Sequence, residues 1–209
     1  MRILLVDDHE IVRRGLRQVL AEEFPKAVLG EAARVPEARE LFAQKKWDLI
    51  VLDINLPGGS GLDLIAEAKR MCPPAAVLVL SAYPEEEFAI RSFKLGAAGY
   101  LTKASVADEM LVAVKKVLTG GKYVSASLAE RLATALGETP SGAPHETLSP
   151  RELEVLRLVA TGKTIKRIAA EFSLSEKTIA TYRTRISGKL RLSTNVELAR
   201  YALQHGLVD

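Results

Sequence analysis

Apolar residues in the first half of the chain gather into short unbroken runs, separated by stretches in which they recur every three or four positions. Ile3, Leu4, Leu5 and Val6 form one run, Leu49, Ile50, Val51 and Leu52 another, and Val77, Leu78, Val79 and Leu80 a third. Runs of this length read as strands buried on both faces, and the intervening spacing reads as helices laid over them. The pattern predicts strands at Arg2–Val6, Ala27–Ala32, Leu49–Asp53, Val77–Ser81 and Gly99–Thr102. They alternate with helices at His9–Glu23, Pro36–Lys46, Leu62–Arg70, Glu85–Leu95 and Val106–Leu118. Five such units give an α/β fold, a five-stranded parallel sheet wound on both faces in a (βα)5 domain spanning residues 1–120. Pro84 stands near the first position of one helix, and Ser105 with Asp108 three residues on has the spacing of a capping box.

Gly120 and Gly121 close that domain. Residues 121–146 hold a moderate helical pattern at Leu128, Leu132 and Leu136, and then Gly137–His145, rich in residues that neither continue a helix nor build a core, which reads as a linker. From 147 to 209 the periodicity is helical throughout and predicts a small all-α domain of four helices. Ser149, Pro150 and Glu152 supply an N-cap, a first-turn proline and a capping-box acid for a helix with Leu153, Leu156 and Val159 on one face, ended by Gly162. A second helix covers Ile165–Phe172, and a third starts from the cap Ser175 and runs through Leu190. The break between them has the length of a helix-turn-helix, placed at about 165–190. Thr194 with Glu197 opens a last helix through Gln204, and Gly206 stands where a left-handed residue would end it.

No apolar run approaches the roughly 20 residues needed to span a bilayer, and Asp7, Asp8 and Glu10 interrupt the N-terminus where a signal peptide would be hydrophobic. The expectation is a cytoplasmic protein without a membrane partner. Cys72 is the sole cysteine, so no intramolecular disulfide can form; beside Pro73 it reads as an inert small residue in a loop. Residues 1–120 hold 16 Lys and Arg against 17 Asp and Glu, net −1, whereas 147–209 hold 11 against 6, net +5. Within 163–191 the balance is 8 against 2, which marks the C-terminal part as the one that meets a polyanion.

Asp7 and Asp8 follow the first run directly, and Asp53 ends the third strand. Open parallel sheets bind ligands beyond the carboxyl ends of their strands, and carboxylates gathered there repel one another unless a cation or a proton joins them. Hard oxygen ligands with open positions suit Mg2+. Two further strands end in Ser81 and in Tyr100-Leu101-Thr102-Lys103. The Lys103 ammonium would pair with a phosphoryl oxygen, and the Ser81 hydroxyl could donate to another. Any one of these groups alone reads as a solvated loop residue; delivered together to one edge they read as a phosphorylation site. Tyr100 reads equally well as a sheet-edge aromatic. His9, His145 and His205 fall in three regions and offer no metal constellation.

Asp7-Asp8, Asp53 with Pro57 four residues on, Ser81, Tyr100 and Lys103, in this order over about the first 120 residues, resemble the receiver domain of two-component response regulators. The resemblance implies that Asp53 accepts a phosphoryl group from a sensor histidine kinase. It also implies that Asp7, Asp8 and Asp53, with the backbone carbonyl of Asn55, hold Mg2+. Ser81 would then move toward the phosphate and Tyr100 swing inward. Ala104 departs from the pattern, since many receivers carry proline after the lysine.

In the third C-terminal helix, Ile179, Ile186 and Leu190 would face the domain core with Tyr182 at the boundary. Lys177, Ala180, Thr181, Thr184 and Arg185 project elsewhere, a small and polar face that a major groove admits. Lys163, Thr164, Lys166, Arg167 and Arg183 are candidates for phosphate contacts, which position without specifying. The words from Leu148 to Leu156, Ile168-Ala169-Ala170, Leu174 to Ile179 and Lys189-Leu190 resemble the LuxR-type helix-turn-helix over about 60 residues. Departures are Thr164-Ile165-Lys166, where Ser-Asn-Lys is frequent, and Tyr182, where His is frequent. The combined order is that of transcriptional response regulators of the NarL/FixJ type. The resemblance assigns a dimer contact on promoter DNA to the last helix, at Val196, Ala199, Arg200 and Leu203.

The expected function is that of a transcription factor, not an enzyme, whose dimerisation and promoter binding are controlled by phosphorylation of Asp53. Two alternatives stand beside it. In one the receiver is vestigial and DNA binding ignores phosphorylation. In the other the chain is an aspartyl-phosphate phosphatase, which needs a second acid two residues after its nucleophile where this chain has Asn55.

Overall fold

The strands marked by unbroken apolar runs form the buried centre of the sheet. In the structure, a computed structural model that describes residues 1–57, 60–125, 128–129 and 143–208, β1 (Arg2–Val6), β3 (Leu49–Asp53) and β4 (Ala76–Ser81) are almost wholly inaccessible. β2 (Val28–Ala32) and β5 (Gly99–Thr102) flank them, and the strand order is β2-β1-β3-β4-β5, all parallel. The helices are α1 (Glu10–Glu23), α2 (Val35–Gln44), α3 (Gly61–Met71), α4 (Glu85–Lys94) and α5 (Val106–Leu118). Leu16 and Leu20 of α1 and Met110, Ala113, Val114 and Val117 of α5 join Ile3, Leu5, Leu49, Val51, Leu78, Leu80 and Leu101 in one core cluster. Strand alternation turns Leu4, Ile50, Leu52, Val77 and Val79 to the other face, and they too are buried.

Element order agrees with the sequence reading throughout, with ends displaced by a residue or two. His9 caps α1 instead of beginning it, and α2 starts at Val35 and stops at Gln44, so Lys45 and Lys46 are not helical. The expected capping box at Ser105 does not form. Ser105 has helical dihedrals, φ −91° and ψ −2°, which turn its hydroxyl back to donate to the Thr102 carbonyl at 3.2 Å. At the start of α3, Ser60 accepts the Asp63 N–H, and Gly61 lies so close to Ile54 that a β-carbon would stand 2.4 Å from the Ile54 Cα. Cys72 is buried at the end of α3, where burial raises its thiol above the ordinary value, as suits an inert residue.

The chain divides into two compact units, Met1–Thr139 and Pro140–Asp209. Leu132, Leu136 and the stretch Gly137–Gly142 of the expected linker lie outside the described residues, whereas Leu128 is fully buried. The second unit opens with a 3-10 turn at Pro144–Thr147, followed by α6 (Pro150–Ala160), α7 (Ile165–Glu171), α8 (Glu176–Leu190) and α9 (Asn195–Gln204). The boxes expected at Ser149 with Glu152 and at Thr194 with Glu197 are both closed reciprocally. Gly162 and Gly206 take the positive φ, +81° and +63°, that ends their helices. Leu153, Val155, Leu156 and Val159 of α6 are buried, as are Ile168, Ala169, Ile179, Ile186, Leu190, Leu198 and Ala202. Tyr182, expected at the boundary, is itself in this core.

Candidate functional site

β1 and β3 are neighbours, yet the chain leaves them toward opposite halves of the sheet. The crevice at their carboxyl ends is the switch point at which open α/β sheets bind ligands. Val6 pairs with Leu52, so Asp7, Asp8 and Asp53 leave the sheet side by side. One oxygen from each, with one His9 ring nitrogen, makes a set whose members all lie within 4.8 Å of one another.

Lys103 joins them from the end of β5, where its backbone N–H donates to the Ser81 carbonyl at 2.7 Å. Its ammonium stands 2.7 Å from Oδ2 of both Asp7 and Asp53. The other Asp53 oxygen accepts the Asn55 backbone N–H at 2.7 Å. Burial pushes the Asp53 carboxyl above the usual aspartate range against the pull of Lys103, and Asp7 adds to the push. Burial alone would depress the Lys103 ammonium, but Asp53 and Asp7 outweigh it and hold that group above its ordinary value.

Three carboxylates face one ammonium here, a local deficit of positive charge. Asp7 Oδ2 is buried with no aligned hydrogen bond, its charge offset only by the ammonium beside it. The residues present fit a hard divalent cation: oxygen donors, one partly exposed acid in Asp8, and uncompensated negative charge.

His9, set aside in the sequence for want of neighbours, belongs to this cluster. Its N–H donates to Asp7 Oδ1 at 2.8 Å, and its Nδ1 lies 2.8 Å from Asp8 Oδ1 and 3.4 Å from Lys103 Nζ. Its position directly after the acid pair was the available signal. His145 and His205 also meet, with ring centroids 5.1 Å apart and Tyr201 of α9 as their shared partner. The three histidines therefore fall in two places, not three. Arg13 was missed as well; it donates to the Asp7 carbonyl at 2.6 Å from α1.

Ser81 and Tyr100 lie one strand and two strands away from Asp53, both fully buried. Asp53 pairs with Leu80, so Ser81 follows at the same edge, its hydroxyl accepting the Tyr83 N–H at 3.0 Å. The Tyr100 ring is already inside, and its hydroxyl donates to the Tyr83 carbonyl at 3.2 Å. Burial holds that phenol far above the ordinary tyrosine value, so it stays a donor.

In the second unit, α8 divides cleanly. Ile179, Tyr182, Ile186 and Leu190 are buried, while Lys177, Ala180, Thr181, Thr184 and Arg185 are all exposed. The hydroxyls of Thr181 and Thr184 donate to the carbonyls of Lys177 and Ala180, at 2.9 and 3.0 Å. Thr164 caps α7. Lys166 and Arg167 are exposed, and neither makes an ion pair among the described residues. Two cations grouped with them are engaged elsewhere. Lys163 pairs with Glu171 at 2.7 Å, and Arg183 bonds Asn195 Oδ1 at 2.8 Å and the Ser193 carbonyl at 3.1 Å, tying α8 to the start of α9. On α9 the candidate dimer residues Val196, Arg200 and Leu203 are exposed and Ala199 half-buried, opposite the buried Leu198 and Ala202.

These two surfaces define a response regulator. Residues 3–115 match the response regulator receiver domain and residues 146–202 the bacterial regulatory proteins of the luxR family, and the chain belongs to this family of DNA-binding transcriptional response regulators. It is 34% identical to the response regulator GacA of Pseudomonas aeruginosa over its whole length, covering 98% of that protein. Among solved structures it resembles the response regulator RcsB of Salmonella typhimurium, with 26% identity and a TM-score of 0.61 over 97% of this chain and 99% of that one. RcsB bound to the promoter rprA in the presence of the phosphomimetic BeF3− is similar at 26% identity, with a TM-score of 0.58 over 96% and 97% of the two chains.

Proposed function

We propose that Asp53 is the phosphoacceptor through which a sensor histidine kinase controls promoter binding by this regulator. The observation that carries the reading is the buried Asp53 carboxylate at the sheet's switch point, with Lys103 at 2.7 Å and the other acids gathered around it. An Asp53 oxygen attacks the phosphorus of a phosphohistidine; the P–N bond breaks as the P–O bond forms, and the imidazole leaves. Asp7, Asp8, Asp53 and the Asn55 carbonyl would hold Mg2+, which when bound supplies positive charge against the incoming phosphoryl oxygens. Lys103 pairs with one of those oxygens, and Ser81 donates to another. The acyl phosphate carries about −1.5 to −2 charges, if it behaves like the phosphoesters, where the carboxylate carried −1, at a site already short of cations.

Taking a two-state protein from 1:99 to 99:1 needs about 5.5 kcal/mol of differential interaction, within reach of several charge-assisted bonds. The modified receiver favours a homodimer through the Val196, Ala199, Arg200 and Leu203 face of α9. The exposed face of α8 enters the major groove of paired half-sites, and Thr164 and Lys166 line the phosphates, joined by Lys163 and Arg183 once these leave Glu171 and Asn195. RcsB, seen on promoter DNA with a phosphomimetic, supports that order of events. The protein works in the cytoplasm and acts on its own Asp53, turning over no external phosphate substrate. No helix among the described residues is long and apolar enough to cross a membrane.

Treatment of the purified chain with acetyl phosphate and Mg2+ tests the first step by intact mass. One phosphoryl group should appear on the wild type and none on Asp53→Asn. Equal labelling of both, or of neither, overturns the assignment. Promoter binding measured with and without the phosphodonor tests the coupling.

A further inference from the structure

The chain does not leave the receiver at Gly120 and Gly121. It turns back and lies along the open side of β5. Tyr123 pairs with Gly99 in parallel register, and its N–H donates to the Ala98 carbonyl at 2.9 Å. Lys122 Nζ donates to the Ala97 carbonyl at 2.6 Å. The fit at Gly99 is close, since a β-carbon there would stand 2.8 Å from Leu78 Cδ1, 3.0 Å from Tyr123 Cβ and 3.2 Å from the Tyr123 carbonyl oxygen.

Side chains fasten the same segment to two helices. The Tyr123 hydroxyl donates to Glu109 of α5 at 3.0 Å, and burial with Glu109 pushes that phenol up to about 12, so the donor keeps its proton. The Ser125 hydroxyl donates to Glu85, the first residue of α4, and accepts the Leu128 N–H at 3.2 Å.

Both anchor points adjoin Ser81 and Tyr100, the residues at the same sheet edge as Asp53. Gly99 immediately precedes Tyr100, and Glu85 lies two residues beyond Tyr83, whose N–H and carbonyl hold Ser81 and Tyr100. A phosphoryl group that draws the Ser81 hydroxyl to itself withdraws it from the Tyr83 N–H. The loop between β4 and α4 then loses one of its fixed points, and Glu85 is the first helical residue after that loop. Two of the segment's other bonds are to the carbonyls of Ala97 and Ala98, which lead directly into the strand that bears Tyr100. The segment is thus held by elements that the modification disturbs, and it is the stretch of chain that leads toward the DNA-binding unit.

We propose that residues 122–125 form a strap that holds the start of the linker on β5, α4 and α5 while Asp53 is unmodified, and that phosphorylation releases it. This rests on Asp53 being the phosphoacceptor. The strap is the element with two arrangements that the site biases, and its release frees the linker for the rearrangement that promoter binding needs.

Hydrogen exchange of the full chain, followed on the peptide spanning 121–129, tests it. With Asp53 phosphorylated, exchange should quicken by at least about 5-fold. Ser125→Ala and Tyr123→Phe, which touch neither the phosphorylation site nor the α8 face, should quicken it without any phosphodonor. They should also raise promoter affinity of the unmodified protein by about 5-fold or more while leaving that of the phosphorylated protein unchanged. The strap is refuted if exchange is the same before and after modification verified by mass. It is refuted equally if neither variant loosens the segment, or if a loosened segment leaves unmodified promoter affinity where it was. If Asp53 takes up no phosphoryl group, the phosphoacceptor reading fails by itself, and the two variants still decide whether the strap restrains promoter binding.

Discussion

In the first unit the groups proposed to take up and surround a phosphoryl group are buried: Asp7 and Asp53 are each 2% exposed, hardly more than the leucines of β1 and β3. In the second, Lys177, Ala180, Thr181, Thr184 and Arg185 stand in the open on one helix whose opposite side is core. The difference follows from what each surface is proposed to do. A phosphoryl group gains most from charge-assisted bonds where water is scarce, so its partners are sunk at a sheet edge and must compensate one another. A duplex can be approached only by groups that reach outward, so recognition is spread on a surface that the fold does not need. Substitutions in the first unit should therefore change stability and function together, and those on the α8 face should separate them.

The hardest test of that contrast is Lys103→Ala, which leaves Asp7 and Asp53 buried without their shared cation. The first unit should lose about 3–5 kcal/mol in urea unfolding, and added Mg2+ should restore more to the variant than it gives the wild type. A loss within error of zero would show that the acids are not held in tension. A buried charge in the second unit gives the matching control. Glu152 closes the Ser149 capping box and pairs with Lys189 at 2.6 Å. Glu152→Ala should cost about 2–3 kcal/mol, less than for a fully dry pair because Lys189 is more than a third exposed.

Acidity supplies a weaker lever on the second unit. Burial, with His205 alongside, holds His145 below the ordinary histidine value of 6.5. The unfolded chain then takes up a proton before the folded unit does. Stability is full above the unfolded value, falls as pH drops through it, and stops falling below the folded value. Chemical unfolding curves of the full chain should show this loss in the helical transition, and His145→Phe should flatten it. Least disturbing to the fold is Thr181→Ala, which should stay within about 0.5 kcal/mol of wild type while altering preference between matched and scrambled promoter sites. A uniform loss on both would place Thr181 among groups that merely position the helix, the role proposed for Lys166.

Much of this was legible in the chain because strands covered on both faces leave unbroken apolar runs, and each run ends where an acid, a serine or a lysine begins. The element order of the first unit and the acid cluster follow from that, and the two sides of α8 follow from the helical spacing of Ile179, Ile186 and Leu190. The misses share a cause. Ser105 has the right spacing for a cap, but its backbone is already helical, which no pattern of residue types records. His9 and the pairing of His145 with His205 depend on which ends of which elements meet, as does Arg183, whose charge reads as free until Asn195 is found beside it. The return of the chain along β5 left only a glycine at 99, far in sequence from the tyrosine that packs against it.

Gly61 carries no charge and belongs to neither surface, yet its missing side chain lets α3 press directly on the main chain at Ile54. The next residue, Asn55, steadies one oxygen of Asp53 through its N–H. One methyl group at Gly61 would wedge helix and loop apart and tilt the acceptor away from its cation with every ionisable group intact. The receiver could thus be silenced by leverage, from a position that no comparison of reactive side chains would single out.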